Sequence, residues 1–343
     1  MEDLKLPNSI ESVEALEHLL STPTRGLIKD LGELDGDIAI LGVGGKVGPT
    51  LARMAKRAAP GKRVIGVARF STPDLKQELE SAGIETIQCD LLDRSQVQAL
   101  PNVKNIVYMA GKKFGTGGSE PMTWAMNVVV PAYVGERYAG SRFVAFSTLC
   151  VYPFSEIKGT GSLEGDSVTP LGEYANSCVG RERVFQHFSK LTKTPGRLAR
   201  LNYAIDLRYG VLHDVGLKVL WGEEIDIRTG VANVIWQGDS TAHILRCLRH
   251  GEVPASPINI GAPKTAQIRE VAEKFGKIFN RKPIFKGSEA ATAWHNDCRL
   301  AQKLFGDPVV GLDTMISWNA AWLLAGKPSH EKPTHYDERA GSF

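Results

Sequence analysis

No apolar run in the 343-residue chain approaches the roughly 20 residues that a membrane-spanning helix needs, so no membrane partner is expected. The five cysteines, Cys89, Cys150, Cys178, Cys247 and Cys298, are odd in number, scattered, and never paired as C-x-x-C. That usage argues for reduced thiols and against a zinc site. His243 and His295 stand alone, and neither H-x-x-x-H nor H-E-x-x-H occurs, so no metal is expected. The formal charge of +3 is spread along the chain and supplies no footprint for nucleic acid. The opening residues Met1 to Lys5 are acidic and lack the apolar core of a secretory leader. The expectation is a cytoplasmic protein. Internal repeats and low-complexity tracts are also missing. Hydrophobic residues make up 43% of the chain, which is enough for a large core in one or two domains.

The chain is organised around residues 37–49. Ile38, Ala39, Ile40 and Leu41 form a short apolar run that ends in glycines, and Leu51, Met54, Ala55 and Ala58 follow at helical spacing. This reads as strand, tight turn and helix. Gly42, Gly45 and Gly48 give G-x-x-G-x-x-G, and Gly44 adds a fourth glycine. Without a Cβ, a diphosphate can reach the backbone N–H groups at the helix start, where the dipole favours anions. The strand before and the helix after are the context that turns a glycine pattern into a dinucleotide site.

Further strands read at 63–68, 85–89, 105–111, 142–146 and 198–202, with helices between them. That alternation predicts an α/β fold with a doubly wound parallel sheet of Rossmann type. Ligands of such sheets bind beyond the carboxyl ends of the strands, which puts Asp90, Leu91, Ala110 and Gly111 in the cofactor cleft. Arg69 ends the second strand where an acidic residue commonly holds the adenosine ribose. A guanidinium there suits a 2′-phosphate and favours NADP over NAD; its plainer reading is a solvated arginine. The Gly-rich loop 111–120 reads as a substrate loop or lid. In it Lys112 and Lys113 are either solvated charges or anion ligands. Asn127 is expected to open a helix, and Asp297 to cap one. Residues 1–35 read as an N-terminal helical extension, most simply a structural cap. The nucleotide domain is expected at 36–202 and 233–262. A smaller substrate region is interleaved with it at 203–232 and 263–326. The tail, 327–343, reads as extended or loose.

Along 36–325 the chain resembles the extended short-chain dehydrogenases/reductases, the NAD(P)-dependent sugar epimerases and dehydratases. The residues that carry the resemblance come in order: Gly42/Gly45/Gly48, Asp90-Leu91, Ala110-Gly111, Asn127, Ser147-Thr148 with Val151-Tyr152, Pro170 and Tyr174, Asn202, Asp239, Asn259-Ile260-Gly261, and Asp297. The resemblance implies that Thr148 orients the reacting sugar oxygen, that Tyr174 is the catalytic acid/base, and that Ser147 and Asn202 help hold the substrate. It implies a cofactor cradle of Gly42, Gly44, Gly45, Lys46, Val47 and Gly48. It also implies a homodimer built on the helices near 127–140 and 174–190.

One departure matters. The family signature is Y-x-x-x-K, and here the fifth position is Cys178. The family lysine holds the nicotinamide ribose and lowers the tyrosine pKa. A free phenol, with pKa about 10, is a poor base near neutrality, and a neutral thiol supplies neither function. Lys112 or Lys113 is expected to provide the missing charge or to bind an anionic substrate. Arg181 shares the helical face of Tyr174 but lies two turns away. Cys178 itself reads either as a small space-filling residue or as a nucleophile or redox switch. The reading that follows is a sugar-acting NAD(P)-dependent oxidoreductase, epimerase or dehydratase. The alternative is an NADP-binding sensor or scaffold whose redox chemistry is weakened or lost.

Overall fold

The structure, a computed structural model, describes residues 6–113, 115–332 and 334–341. Phe114 of the Gly-rich loop, parts of the tail and the start on which a leader was sought lie outside these. Seven strands form one parallel sheet: β1 (Ile38–Leu41), β2 (Val64–Ala68), β3 (Glu85–Gln88), β4 (Asn105–Tyr108), β5 (Arg142–Thr148), β6 (Gly196–Leu201) and β7 (Ser256–Ile260), in the order β3-β2-β1-β4-β5-β6-β7. Ile38 pairs with Val64 on one side and with Asn105 on the other. All four residues of β1 are buried, as expected for an apolar strand covered on both faces. The strand order reverses between β1 and β4, and there the sheet opens a crevice at its carboxyl end.

Two helices precede the sheet, α1 (Val13–Leu20) and α2 (Arg25–Glu33). Ser12 and Thr24 cap them by accepting from the Ala15 and Leu27 N–H groups. Leu27 and Leu31 enter the core beneath the sheet, while Leu16 and Leu20 enter a second apolar cluster. Arg246 Nε donates to Asp30 at 2.6 Å. The extension is therefore built into both cores. The second cluster gathers the helices Val211–Trp221, Ile268–Phe279 and Leu312–Leu324 around Trp236 and Trp318.

Three local expectations are corrected. Asn127 does not open a helix; it sits inside a π turn, Ala125–Val129, between helical segments Glu120–Trp124 and Val130–Arg137. The wider turn lets its side chain reach inward. The helix after Asp297 begins at Arg299, and Asp297 bonds the Arg299 N–H from just outside it. The tail is not loose: Tyr336 is only 2% exposed, and Arg339 donates to the Thr292 carbonyl at 2.9 Å. Gly341 packs against Gly172, where an added Cβ would meet the Gly341 carbonyl oxygen at 2.1 Å. Tyr336 packs into the second apolar cluster and polar contacts fix its neighbours, and a single buried ring leaves no periodic trace in sequence.

Candidate active site

The glycine turn divides its glycines between two tasks. Gly42 has φ +95, and a Cβ there would meet the Ala110 nitrogen at 2.6 Å; at Gly48 it would meet the Val43 oxygen at 2.1 Å. These two are required by packing. At Gly45 the nearest atom is the Gly42 oxygen at 3.8 Å, and at Gly44 the Ala68 Cβ at 3.4 Å, so these two keep open space in front of the helix Gly48–Ala58 (α3). Gly44 and Gly45 line a cavity of about 230 Å3 together with Gly42, Asp90, Leu91, Ala110, Gly111 and Arg69. Arg69 stands exposed on that cavity's wall. A cradle of bare backbone at a helix start, walled by strand ends, fits a dinucleotide diphosphate.

A second cavity, of about 270 Å3, shares Met109 and Gly111 with the first. It brings together Ser147, Thr148, Tyr174, Asn202, Lys112 and Lys113. Lys46 and Val47, grouped in sequence with the cofactor turn, face this second cavity instead. Gly48 lines neither and serves packing.

Thr148 ends β5 in extended conformation, and its hydroxyl accepts the Cys150 N–H at 3.2 Å, fixing the turn. Tyr174 lies in the first turn of the helix Gly172–Thr192 (α4). It is partly open to the cavity yet deep in the protein. Burial pushes its phenol well above the ordinary value, and Cys178 and Cys150 add to this, while the Arg181 charge and a hydrogen bond with Thr148 oppose it. Ser147 is at the wall, but its hydroxyl is committed to the Glu182 carboxylate, which also pairs with Arg200 at 2.7 Å. Asn202 donates to the Ile260 carbonyl and to Asn296 Oδ1 at 2.9 and 2.8 Å. Its own buried Oδ1 has no hydrogen-bond partner.

Cys178 is 0% exposed and packs on Val151, Tyr152 and Tyr174. Burial raises its thiol pKa, which keeps it neutral and supports the space-filling reading over a nucleophile. The buried charge beside it is Arg181, three residues on. Long helical side chains point back toward the N-terminus, so a guanidinium from the next turn reaches the space behind Tyr174. Arg181 is 5% exposed. It donates to the Phe146 carbonyl at 2.9 Å and to Asn127 Oδ1 at 2.6 Å. Asn127 in turn bonds both the N–H and the C=O of Lys112, at 2.9 Å each. Gly111 passes so close that a Cβ would lie 2.3 Å from Arg181 Nη2. Interactions with Cys178, Tyr108, Tyr174 and Glu182 outweigh its desolvation, and its pKa is raised. Lys113 brings its ammonium to 6.0 Å from the Tyr174 ring centroid, with its pKa lowered by burial. Sequence reasoning ranked Arg181 below Lys112 and Lys113 and did not single out Tyr209, Gln237 and Thr334, which also line the cavity. The spacing Tyr174–Cys178–Arg181 on one helical face was the available signal for the first; nothing local marked the others.

The fold and the paired cavities define a doubly wound α/β protein with an open glycine cradle and a tyrosine-containing chamber beside it. No protein-family model matches the chain, and no curated protein does. Solved structures do. MoeE5 in complex with UDP-glucuronic acid and NAD superposes with TM-score 0.68 at 19% identity, over 84% of this chain and 99% of that one. A UDP-glucuronic acid 4-epimerase from Bacillus cereus, in complex with UDP-glucuronic acid and NAD, gives 0.67 at 18%, over 84% and 99%. The dTDP-glucose 4,6-dehydratase DesIV from Streptomyces venezuelae, with NAD and TYD bound, gives 0.69 at 16%, over 84% and 97%. These proteins share the fold of this chain. Among the described residues, no helix is long and apolar enough to cross a membrane.

Proposed function

We propose that the protein is an NAD(P)-dependent oxidoreductase, epimerase or dehydratase acting on a sugar-type substrate. The observation that carries this reading is the shared wall of the two cavities. A dinucleotide held at Gly44 and Gly45 and passing Gly111 delivers its far end to the chamber containing Thr148 and Tyr174. The structural neighbours support it: all three hold NAD, two of them together with UDP-glucuronic acid. When bound, the nicotinamide supplies a hydride acceptor or donor. Tyr174 takes the proton of the substrate hydroxyl, and Thr148 orients that hydroxyl. Arg181 stands in for the absent lysine by holding a fixed positive charge behind the phenol, which makes its deprotonation less costly. Lys112 and Lys113, on the wall of the same chamber, bind the substrate.

Arg69 on the open wall of the first cavity supports NADP over NAD. The second apolar cluster supports assigning 203–232 and 263–326 to the substrate region. Exposed Trp124 and Val129 support a homodimer through the helices near 127–140 and 174–190. A cytoplasmic location belongs to the same reading.

The test is a purified-protein screen with NADP or NAD and a panel of sugars, sugar acids and nucleotide sugars. Nicotinamide absorbance is followed together with product analysis, because an internal redox cycle leaves no net absorbance change. Turnover that is lost in Tyr174→Phe is the expected result. Tight cofactor binding without turnover on any compound would instead establish the sensor or scaffold alternative.

A further inference from the structure

The segment 334–341 touches the surroundings of the second cavity at three places. Thr334 is 2% exposed and lines the cavity. Asp214, on the helix Val211–Trp221, accepts from its N–H at 2.8 Å and from its hydroxyl. At the other end, Gly341 lies against the start of α4, and a Cβ there would run into the Leu171 carbonyl. Gly341 and Gly172 have φ +81 and +76, backbone that suits glycine. Tyr174 follows Gly172 by two residues.

Between these ends, the Arg339 guanidinium stacks 4.3 Å from the Phe154 ring centroid and donates to the Thr292 carbonyl and hydroxyl at 2.9 and 3.2 Å. Phe154 stacks on Trp294 with centroids 4.5 Å apart, and both pack with Leu149 and Cys150, which line the cavity. Tyr203, on the same wall, packs on this cluster and on the second apolar cluster, which Tyr336 enters. Among the described residues of the segment, none lines the first cavity. Ordering such a segment costs conformational entropy, and the contacts that offset it end on the walls of the second cavity or on α4. A close-packed wall takes its position from the layer behind it.

We propose that the segment 334–341 is a working part of the active site: Thr334 and Arg339 fasten the outer wall of the chamber, and Gly341 is a positioning residue that sets the start of α4 and with it Tyr174. The catalytic weight given to Tyr174 rests on the proposed function. Gly341 fixes the backbone just ahead of the phenol, where a displacement of about 1 Å can change a rate by about 10²-fold.

The experiment labels the full-length protein with iodoacetamide and follows each thiol by peptide mass spectrometry. Cys150, 3% exposed, reports on the chamber wall and Cys89 on the first cavity; Cys247, 0% exposed in the core beneath the sheet, reports on global unfolding. Buried thiols react through local opening. Thr334→Val removes one hydrogen bond to a carboxylate, so Cys150 should label about tenfold faster, with Cys89 and Cys247 unchanged. Thr334→Ser keeps the hydroxyl and should stay near the unmodified rate, and Arg339→Met should behave like Thr334→Val. In Gly341→Ala, Cys178, which packs on Tyr174, should label faster while Cys247 does not. The same variant, in the sugar panel above, should lose about 10²-fold in kcat with NADP affinity retained. The proposal is overturned if Cys150 keeps its rate in both Thr334→Val and Arg339→Met, if Cys247 speeds up in step with Cys150 or Cys178, or if Gly341→Ala keeps its kcat. Absence of turnover by the unmodified protein across the panel would overturn the functional reading instead; the rates at Cys150 and Cys178 would still decide whether the segment fastens the wall and the start of α4.

Discussion

Arg181→Met tests the central assignment of the site. The substitution keeps much of the side-chain volume and removes the buried charge, along with the donors to the Phe146 carbonyl and Asn127 Oδ1. Asn127 Oδ1 keeps the Lys112 N–H, so the Arg181 bond to the Phe146 carbonyl is the main loss, and a cost of about 1–3 kcal/mol of stability is expected, visible as a lower Tm. The chemical effect is separable from this. The phenol of Tyr174 lies above its ordinary range because of burial, and Arg181 is the charge that holds it down. Without that charge the folded-state pKa rises further, and the proton-accepting form is reached only at higher pH. In the direction that oxidises the substrate, the acid limb of kcat/KM should move to higher pH. At neutral pH the rate should fall by about 10²-fold, the scale of losing one fixed electrostatic stabiliser. Arg181→Lys keeps the charge and should restore the limb even where stability is not fully recovered. The assay is a pH–rate profile of each variant at a temperature below the lowest Tm. An unshifted limb in Arg181→Met, or the same shift in Arg181→Lys, would refute the argument.

Other outcomes follow from the same geometry. Arg69→Ala should weaken NADP binding by about tenfold or more, as for one lost charge-assisted bond, and NAD binding little; equal losses in titrations would remove the 2′-phosphate assignment. Gly48→Ala, which drives a Cβ into the Val43 oxygen, should destabilise the fold by about 3 kcal/mol or more. Gly45→Ala should leave Tm almost unchanged but impair cofactor binding, and calorimetry with cofactor titration separates the two. Glu182→Ala leaves the buried Arg200 guanidinium and the Ser147 hydroxyl without their shared partner. It should cost about 3–5 kcal/mol, measured by denaturant unfolding; a change within 1 kcal/mol, about the size of an exposed pair, would contradict the buried-pair account.

The parts of the protein legible in sequence are those whose chemistry is local. Strand, glycine turn and helix at 38–58 announce themselves by contiguous pattern, and the same holds for Thr148 at a strand end and Tyr174 in a first helical turn. The alternation of elements was enough for the parallel sheet. Contacts made across long sequence distances were less readable. Asn127 lies in a π turn because its side chain must reach Lys112, Ser177 and Arg181 together, a demand set by three separate segments. Thr334 reaches the chamber through Asp214, 120 residues earlier in the chain. The tail's prolines and charges show no periodic core face, yet one ring, Tyr336, enters the second apolar cluster and individual polar bonds order the residues around it.

Under the proposed function, a cation at position 181 in place of one at position 178 is more than an exchange of lysine for arginine. A lysine one turn after the tyrosine has its ammonium free to serve the phenol and the cofactor ribose together. Arg181 is committed at both terminal nitrogens, to Phe146 and Asn127. It can supply potential to Tyr174, but it has few donors left for a ribose. The two tasks of the family lysine are thereby split. Charge comes from a guanidinium locked beneath Gly111, and any direct hold on the reacting ligands comes from the loop that Asn127 clamps at Lys112. Since Asn127 joins Arg181 to Lys112 within one hydrogen-bonded unit, the charge behind the phenol and the lysines of the chamber are positioned together. Truncating Asn127 should therefore disturb the pH profile and substrate affinity in the same variant. Independent pieces would not behave that way.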